Sequence, residues 1–168
     1  TLAMFPLAAA ADAEPGYLML DEALKGGHSR VTEVSLGGHV PELLFDNPSP
    51  SCVLLLDGDE LVGAKQNRVL NITILVGPGR KLTIPVSCVE RGRWHGRSAE
   101  FRSEDRMMFA RGRAAKMAQV SRSMRDEGSR LSDQGAVWGD VARKSALFQA
   151  AAPTEAMSDV YAHAAAAA

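Results

Sequence analysis

Apolar and polar residues alternate in the middle of the chain, and this alternation predicts strands there. Residues 70–76 and 82–88 place an apolar side chain at every second position, which is the period of a strand with one face toward a core. Because the turn Gly77-Pro78-Gly79 separates the two runs, we expect them to form a hairpin. Pro85 cannot donate to a ladder, so its strand is expected at a sheet edge or at a bulge.

The first part of the chain consists of short apolar runs separated by turn residues, which is typical of strands. Residues 31–36 and 39–45 flank Gly37-Gly38 and predict a second hairpin. Residues 52–56 are continuously apolar and predict a strand buried on both faces. Two further elements are expected, a short edge strand at residues 2–7 and a strand at residues 17–24 that runs into a helical turn capped by Asp21.

From Ser103 onward the apolar period changes from two to about 3.6, which predicts helices. The expected caps and stops are Ser103 and Gly128 for the first helix, Ser132 or Asp133 for the start of the second, and Thr154, after Pro153, for the start of the third. The side chains expected on the apolar faces are Met107, Ala110, Ala114, Met117 and Met124 in the first helix and Val137, Trp138, Val141 and Phe148 in the second.

The predicted fold class is therefore α+β. An antiparallel β-sandwich or open barrel is expected over residues 1–102, followed by two or three helices within residues 103–168 that pack on it as a single structural unit. With 168 residues, 46% of them hydrophobic, the chain has enough apolar side chains for a core of its own. No apolar run approaches the ~20 residues that a membrane helix needs, so no membrane partner is expected.

Charge and cysteine usage add two expectations. Residues 91–130 carry 11 Lys/Arg against 5 Asp/Glu, which suits either a solvated helix face or an RNA-binding surface whose affinity falls steeply with salt. Cys52 and Cys88 lie within apolar runs rather than at metal-ligand spacing, which favours buried free thiols in a reducing compartment. We therefore expect a cytoplasmic location.

A dense polar segment, residues 57–68, separates two of the apolar runs and is the first candidate site. Lys and Arg side chains there could bind a phosphate, and the amides could bind a sugar or a base. The alternative is a solvated loop with an internal ion pair from Glu60 to Lys65 or to Arg68. The candidate residues are Glu60, Lys65, Gln66, Asn67, Arg68 and Asn71.

A second candidate group, Glu90, Arg93, Trp94 and His95, follows the last predicted strand. A tryptophan beside an arginine can stack on a base or a sugar. The alternative is that Trp94 covers the open end of the β core with Arg93 over it. No metal site and no cofactor are expected, because the four histidines are far apart and no phosphate-binding glycine loop or nucleophile elbow is present.

Residues 54–76 and 84–94, with weaker similarity upstream and downstream, resemble the bacterial and archaeal domain family named for its association with ADP-ribosylglycohydrolases and rhodanese/phosphatase proteins. The resemblance implies a role in ADP-ribose or RNA-end metabolism, with no established reaction. The polar motif of the family falls on the six residues named above, and its second motif falls on Cys88, Glu90, Arg93 and Trp94.

These observations predict a site for a phosphorylated ligand, either an ADP-ribose-like nucleotide or an RNA end. Glu60 and Lys65 are the candidate catalytic residues, and Glu90 is a further candidate acid or base. The candidate ligand-binding residues are Gln66, Asn67, Arg68, Asn71, Glu90, Arg93 and Trp94. The alternatives are an RNA-binding module that uses the basic stretch, and a structural protein that forms homo-oligomers through the helix carrying Met107 and Met124.

Overall fold

The computed structural model describes residues 15–35 and 37–166, so the strand expected at residues 2–7 lies outside the described residues. The predicted α+β class is confirmed: a mostly β region is followed by three C-terminal helices. The strands are β1 Tyr17–Met19, β2 Arg30–Glu33, β3 Glu42–Asn47, β4 Cys52–Leu55, β5 Asp59–Gly63, β6 Arg68–Leu70, β7 Ile74–Val76, β8 Arg80–Cys88 and β9 Glu100–Met107. The helices are α1 Leu20–Lys25, α2 Ala110–Asp126, α3 Gln134–Phe148 and α4 Met157–Ala166.

Six strands form a closed barrel in the order β2-β3-β8-β6-β5-β9. All six neighbouring pairs are antiparallel, and the predicted hairpin around Gly37-Gly38 is confirmed as β2 and β3. Closure gives every barrel strand a partner on both sides, which leaves the barrel without an edge.

A small three-stranded sheet, β1-β4-β7, lies beside the barrel. Its β1 and β4 are parallel, so the antiparallel expectation is wrong for this pair. The central strand β4 buries Val53 and Leu55 completely, whereas Cys52 and Leu54 are half-buried. The expectation of a strand buried on both faces is therefore met on one face only.

The hairpin predicted across Gly77-Pro78-Gly79 is wrong. Strand β7 pairs with β4 in the small sheet, whereas β8 pairs with β3 and β6 in the barrel. The turn thus connects two sheets. Pro85 lies within the barrel rather than at a sheet edge. It is opposite Glu42 at the start of β3, and it lies one residue beyond the pairs that β8 forms with β6. At the end of a ladder the missing backbone N–H of proline removes no pairing hydrogen bond to β6.

The barrel interior is filled by side chains at alternate strand positions, as the period of two requires. Each fully buried aliphatic side chain contributes roughly 1.5–3 kcal/mol. The interior residues include Val31, Leu43, Phe45, Leu61, Leu70, Ile84, Val86 and Phe101. A second apolar cluster between the outer barrel wall and the helices consists of Val69, Val89, Met108, Val137, Val141 and Met157.

The expected change from strand to helix at Ser103 occurs later in the structure. Residues Glu100–Met107 form β9, which closes the barrel by pairing with β2 and β5, and α2 begins at Ala110. The acidic residues Glu104 and Asp105, which would suit a helix start, lie on this strand because barrel closure outweighs their local preference.

The buried face of α2 also differs from the predicted stripe. It consists of Gly112, Lys116 and Val120, whereas Met117 and Met124 are 44% and 45% exposed. The predicted methionine face is therefore the outer face of this helix.

The remaining helix predictions have mixed outcomes. Asp133 caps α3 as expected, since its Oδ1 accepts a hydrogen bond from Ala136 N at 3.0 Å. Phe148, expected to be buried, is 39% exposed. Helix α1 has Met19 at its N-cap position instead of Asp21. Helix α4 starts at Met157 rather than after Thr154, because the Thr154 hydroxyl donates to Glu90 instead.

Among the described residues no helix has the length and apolar character needed to cross a membrane.

Candidate functional site

The polar segment at residues 57–68 is a barrel hairpin rather than a long loop. Its first half is β5, its last residue begins β6, and the connection between the two strands is residues 64–67. Side chains alternate across a strand, so neighbours in this segment point to opposite sides of the barrel wall. Arg68 shares the inner face with Leu70, whereas Val69 faces the helices.

Arg68 lies inside one end of the barrel and is fully buried. Its Nη1 donates to Gln66 Oε1 at 3.0 Å, whereas Nε and Nη2 have no hydrogen-bond partner among residues 15–35 and 37–166. Burial lowers the pKa of the guanidinium from its ordinary value, and the nearby Cys88 and Glu33 oppose this shift. Nε and Nη2 form one edge of the guanidinium fork, the edge that binds a carboxylate or a phosphate with two parallel hydrogen bonds.

Trp94 covers this end of the barrel. Its ring centroid lies 5.6 Å from the Arg68 guanidinium carbon and 5.6 Å from Lys65 Nζ, both within range of a cation–π contact. The Trp94 side chain is 46% exposed. Lys65 Nζ also donates to Gly37 O at 2.8 Å. The site therefore combines a buried guanidinium, a second cation and an aromatic face that reaches solvent.

Glu33 is a further component of the barrel end, and it does not belong to either of the two polar motifs. It occupies the inner face of β2, two residues after the core residue Val31 and opposite the core residue Leu43. Its Oε1 accepts from Lys65 N at 3.3 Å, and its Oε2 is buried without a hydrogen-bond partner within the described part of the chain. The signal in the sequence is the acid at the inward position of the Val31-Thr32-Glu33 alternation.

Cys88 lies beside Arg68 as its partner in the β6–β8 ladder. Its thiol donates to Gln66 Oε1 at 3.1 Å, the same oxygen that accepts from Arg68. Burial raises the pKa of the Cys88 thiol to about 11. The group therefore stays protonated at neutral pH, which fits the expectation of a buried thiol and makes it a poor nucleophile.

Glu90 and Arg93 form a second polar cluster, in which both side chains are fully buried. Arg93 Nε donates to Glu90 Oε1 at 2.8 Å and Nη2 donates to Glu90 Oε2 at 2.6 Å. The remaining guanidinium donors bind the turn of the β5–β6 hairpin and the adjacent chain, with acceptors Gly63 O, Ala64 O, His95 O and Asn67 Oδ1. This arginine thus holds the hairpin turn in place.

The Glu90 carboxylate is equally occupied. Besides the bonds from Arg93, it accepts from Asn67 N at 3.0 Å and from Thr154 Oγ1 at 2.8 Å. Although burial alone would raise the pKa of Glu90, the hydrogen bonds from Arg93, Thr154 and Asn67 hold it below its usual value. Glu90 therefore joins the hairpin turn to the segment that precedes α4.

The two asparagines of the motif also bond within the chain. Asn67 Oδ1 accepts from Gly63 N at 3.2 Å, and its Nδ2 donates to Ser158 Oγ at 3.2 Å. Asn71 Oδ1 accepts from Ser87 Oγ at 2.6 Å, and its Nδ2 donates to Arg130 O at 2.9 Å. Both side chains connect the barrel to the helical segment.

Glu60 lies on the outer side of the barrel wall, opposite Val69 and near Tyr161 of α4. It is fully buried, and neither carboxyl oxygen has a hydrogen-bond partner among the described residues. Burial raises the pKa of Glu60 to about 7, against the opposing effect of Arg106. The two candidate catalytic residues therefore lie apart, and in the described structure Glu60 forms an ion pair with neither Lys65 nor Arg68.

Part of the basic stretch at residues 91–130 is not available as a positively charged surface. Arg93 and Lys116 are buried, and burial lowers the pKa of Lys116 to about 8 while its Nζ donates to Leu70 O at 2.6 Å. Arg113 pairs with Asp57 at 2.7 Å, and Arg102 and Arg106 share Glu104. Within residues 15–35 and 37–166, no group of three or more His, Cys, Asp or Glu side chains is arranged to hold a metal ion.

The chain belongs to the family described as the ARG and Rhodanese-Phosphatase-superfamily-associated Protein domain, whose model matches residues 1–168, the whole sequence. The family membership expected from residues 54–76 and 84–94 is thereby confirmed, although the family description says ARG and does not name ADP-ribosylglycohydrolases. The description names an association with ARG and with the rhodanese-phosphatase superfamily and states no activity. The comparison with curated proteins finds no match, and neither does the comparison with solved structures.

Proposed function

We propose that this family member binds a phosphorylated, nucleotide-type ligand at the Trp94 end of the barrel. In this proposal Arg68 and Lys65 bind the phosphate, and Trp94 stacks on the base or the sugar. The observation that carries the proposal is the unpartnered Nε and Nη2 edge of the fully buried Arg68 among the described residues.

A buried donor without a partner costs about 1–3 kcal/mol, and a charged donor costs more. An anion with two oxygens would remove that cost at Arg68, because a phosphate or a carboxylate accepts side by side from Nε and Nη2. Lys65 adds a second positive charge at the same end of the barrel. The pair therefore favours a ligand whose recognised group is anionic.

Access to Arg68 requires the Trp94 side chain to turn away. Trp94 contacts the two cations through its ring and is nearly half exposed, so its rotation breaks two cation–π contacts of roughly 0.5–1 kcal/mol each together with its packing beside Gly38. Once displaced, the indole offers an apolar face to a base, which supports a nucleotide over a simple phosphate.

The other residues of the two motifs position this site in our proposal. Glu90, Arg93 and Asn67 fix the turn that carries Lys65 and Gln66, and Asn71 binds the connection between α2 and α3 at Arg130 O. Glu60 lies beneath α4 rather than at the barrel end, so we propose a binding function for the site and assign no reaction step to it.

The test is a titration of the chain with ADP-ribose and with a phosphate-ended RNA oligonucleotide. In a Trp138→Phe background Trp94 is the only tryptophan, so its fluorescence reports binding directly at the site. We expect saturable quenching by at least one ligand. Arg68→Lys keeps the charge and loses the two-donor edge, and it is expected to weaken binding at least tenfold.

The matched control is Arg122→Lys on the exposed side of α2, which should leave the affinity unchanged. The proposal is wrong if neither ligand binds, or if Arg68→Lys binds as tightly as the parent chain.

A further inference from the structure

The barrel end holds a buried acceptor as well as buried donors. Glu33 Oε2 has no hydrogen-bond partner within the described residues and is screened from solvent, while Glu33 Oε1 accepts from the backbone of Lys65. Oε1 is thus bound by the β5–β6 hairpin, which also carries Arg68, whereas Oε2 lies at the barrel end near Gly38. A buried acceptor of this kind carries the same cost as a buried donor.

The surroundings of Gly38 show how close this oxygen is to the other groups of the site. A Cβ on Gly38 would lie 3.1 Å from Lys65 Cδ, 3.2 Å from Glu33 Oε2 and 3.5 Å from Trp94 Cζ2. Three side chains therefore converge on one backbone position. Gly38 has φ +76, a conformation that favours glycine. Because glycine has no side chain, Lys65, Glu33 and Trp94 can approach one another at this position.

A bare phosphate can satisfy Arg68 and Lys65 but not Glu33. The Glu33 carboxylate repels an anion and accepts a hydrogen bond from a hydroxyl or an amine. The complementary ligand therefore carries a donor next to its phosphate. Of the ligand groups considered above, a ribose with free hydroxyls meets this requirement, and inorganic phosphate does not.

We propose that Glu33 Oε2 accepts a hydrogen bond from a sugar hydroxyl, which makes the barrel end selective for phosphorylated ribose over phosphate alone. This inference rests on the proposed function, since it takes Arg68 and Lys65 as the phosphate-binding groups. It adds Glu33 as the residue that determines specificity. A site built around a hydroxyl discriminates strongly against ligands that lack it, because the buried polar group is then left unpaired.

The experiment measures the dissociation constants of ribose 5-phosphate and of inorganic phosphate by calorimetry, for the unmodified chain and for Glu33→Gln. We expect the unmodified chain to prefer ribose 5-phosphate by about tenfold or more. Glu33→Gln is expected to lose most of that preference while it still binds inorganic phosphate, because the amide presents a donor where the carboxylate repelled the anion. Glu127→Gln, on an exposed residue after α2, is the control and should keep the preference.

Glu33→Asp gives a second variant if Glu33→Gln does not fold, because it keeps the charge and withdraws the oxygens by one methylene; it should reduce the preference in the same direction. Equal affinity of the unmodified chain for the two ligands, or an undiminished preference in the folded variants, overturns the inference while the phosphate site stands. Failure of ribose 5-phosphate and of inorganic phosphate to bind overturns this inference. The proposed function fails with it if ADP-ribose and the RNA oligonucleotide also do not bind, or if binding is unaffected by Arg68→Lys.

Discussion

Arg68 begins the barrel strand β6 and Arg93 lies in the connection between β8 and β9. Both arginines are fully buried, and they differ in how one edge of the guanidinium is used. In Arg93 the Nε and Nη2 edge lies on the Glu90 carboxylate. In Arg68 the same edge has no partner among residues 15–35 and 37–166. Burial is nearly equal in the two cases, so burial alone does not determine whether the Nε and Nη2 edge of an arginine has a partner within the protein.

Glu90 and Glu60 differ in the same way as the two arginines, and their pKa values shift in opposite directions. Glu90 receives hydrogen bonds at both oxygens, and its pKa lies below the usual value. Glu60 is equally buried, has no hydrogen-bond partner in the described residues, and has a pKa raised to about 7. A buried charge with full hydrogen bonding stabilises the fold above its pKa, whereas one without partners destabilises it.

The largest effect on stability is expected from removing Glu90, the partner of Arg93. Glu90→Ala leaves a buried guanidinium without its carboxylate, and we expect the free energy of unfolding to fall by about 3–5 kcal/mol. Urea unfolding followed by circular dichroism measures this change. Glu155→Ala removes an exposed carboxylate that lies 3.9 Å from Arg91 and should cost no more than about 1 kcal/mol. Similar losses in the two variants would contradict a structural role for the Glu90–Arg93 cluster.

The pH dependence of the free energy of unfolding tests the difference between Glu60 and Glu90. Folding raises the pKa of Glu60 from 4.5 to about 7, so the contribution of Glu60 to stability is lost as the pH rises from 4.5 through 7. Glu60→Gln removes this dependence and should stabilise the chain by about 3 kcal/mol at pH 8 relative to its effect at pH 4.5.

Urea unfolding of both chains across this pH range provides the measurement. Groups that do not interact with Glu60 titrate equally in the two chains, so the difference between the curves reports Glu60 together with its charge interactions with Glu104, Glu90 and Asp159. Parallel curves from pH 4.5 to 8 would show that Glu60 does not titrate as a buried, unpartnered acid.

A smaller change in stability is expected when each arginine is replaced by methionine, and its sign should differ between Arg68 and Arg93. Arg68→Met replaces an incompletely bonded buried charge with an apolar side chain of similar length, and we expect the unliganded chain to become more stable by about 1–3 kcal/mol. Arg93→Met serves as the matched comparison and should destabilise the chain, because it leaves Glu90 buried and unpaired. Destabilisation of equal size by both substitutions would show that Arg68 is as structural as Arg93.

Local sequence signals predicted the parts of the fold that local interactions decide. The Gly37-Gly38 hairpin and the Asp133 cap are confirmed because turn and capping preferences act within a few residues. The alternation in residues 82–88 correctly indicated a strand, whereas residues 70–76 are divided between the end of β6 and β7 by a non-strand stretch at residues 71–73. Neither run indicated its partners. Alternation specifies which face is buried, and it does not specify which strand lies beside it.

The candidate site was only partly predictable for a related reason. The density of polar residues at 57–68 indicated a place, but the division of that segment between the barrel interior and the helical layer depends on the register of β5 and β6. Glu33 was missed because its importance comes from Lys65 and Trp94, which are distant in the sequence. The partner of Arg93, by contrast, is close in sequence, since Glu90 lies three residues before it; the sequence does not show that both side chains are buried.

The anchoring of the Trp94 segment has a kinetic consequence. Arg93 is held on one side of Trp94 by the buried cluster, and on the other side Arg97 N donates to Ala64 O at 3.0 Å. The backbone that carries the indole is therefore tied to the β5–β6 turn on both sides. In the proposed binding site, opening of the barrel end would then require a rotation about side-chain bonds rather than a hinge motion. We therefore expect ligand entry, under this proposal, on the fast timescale of rotamer exchange and not on the microseconds to milliseconds of a moving lid.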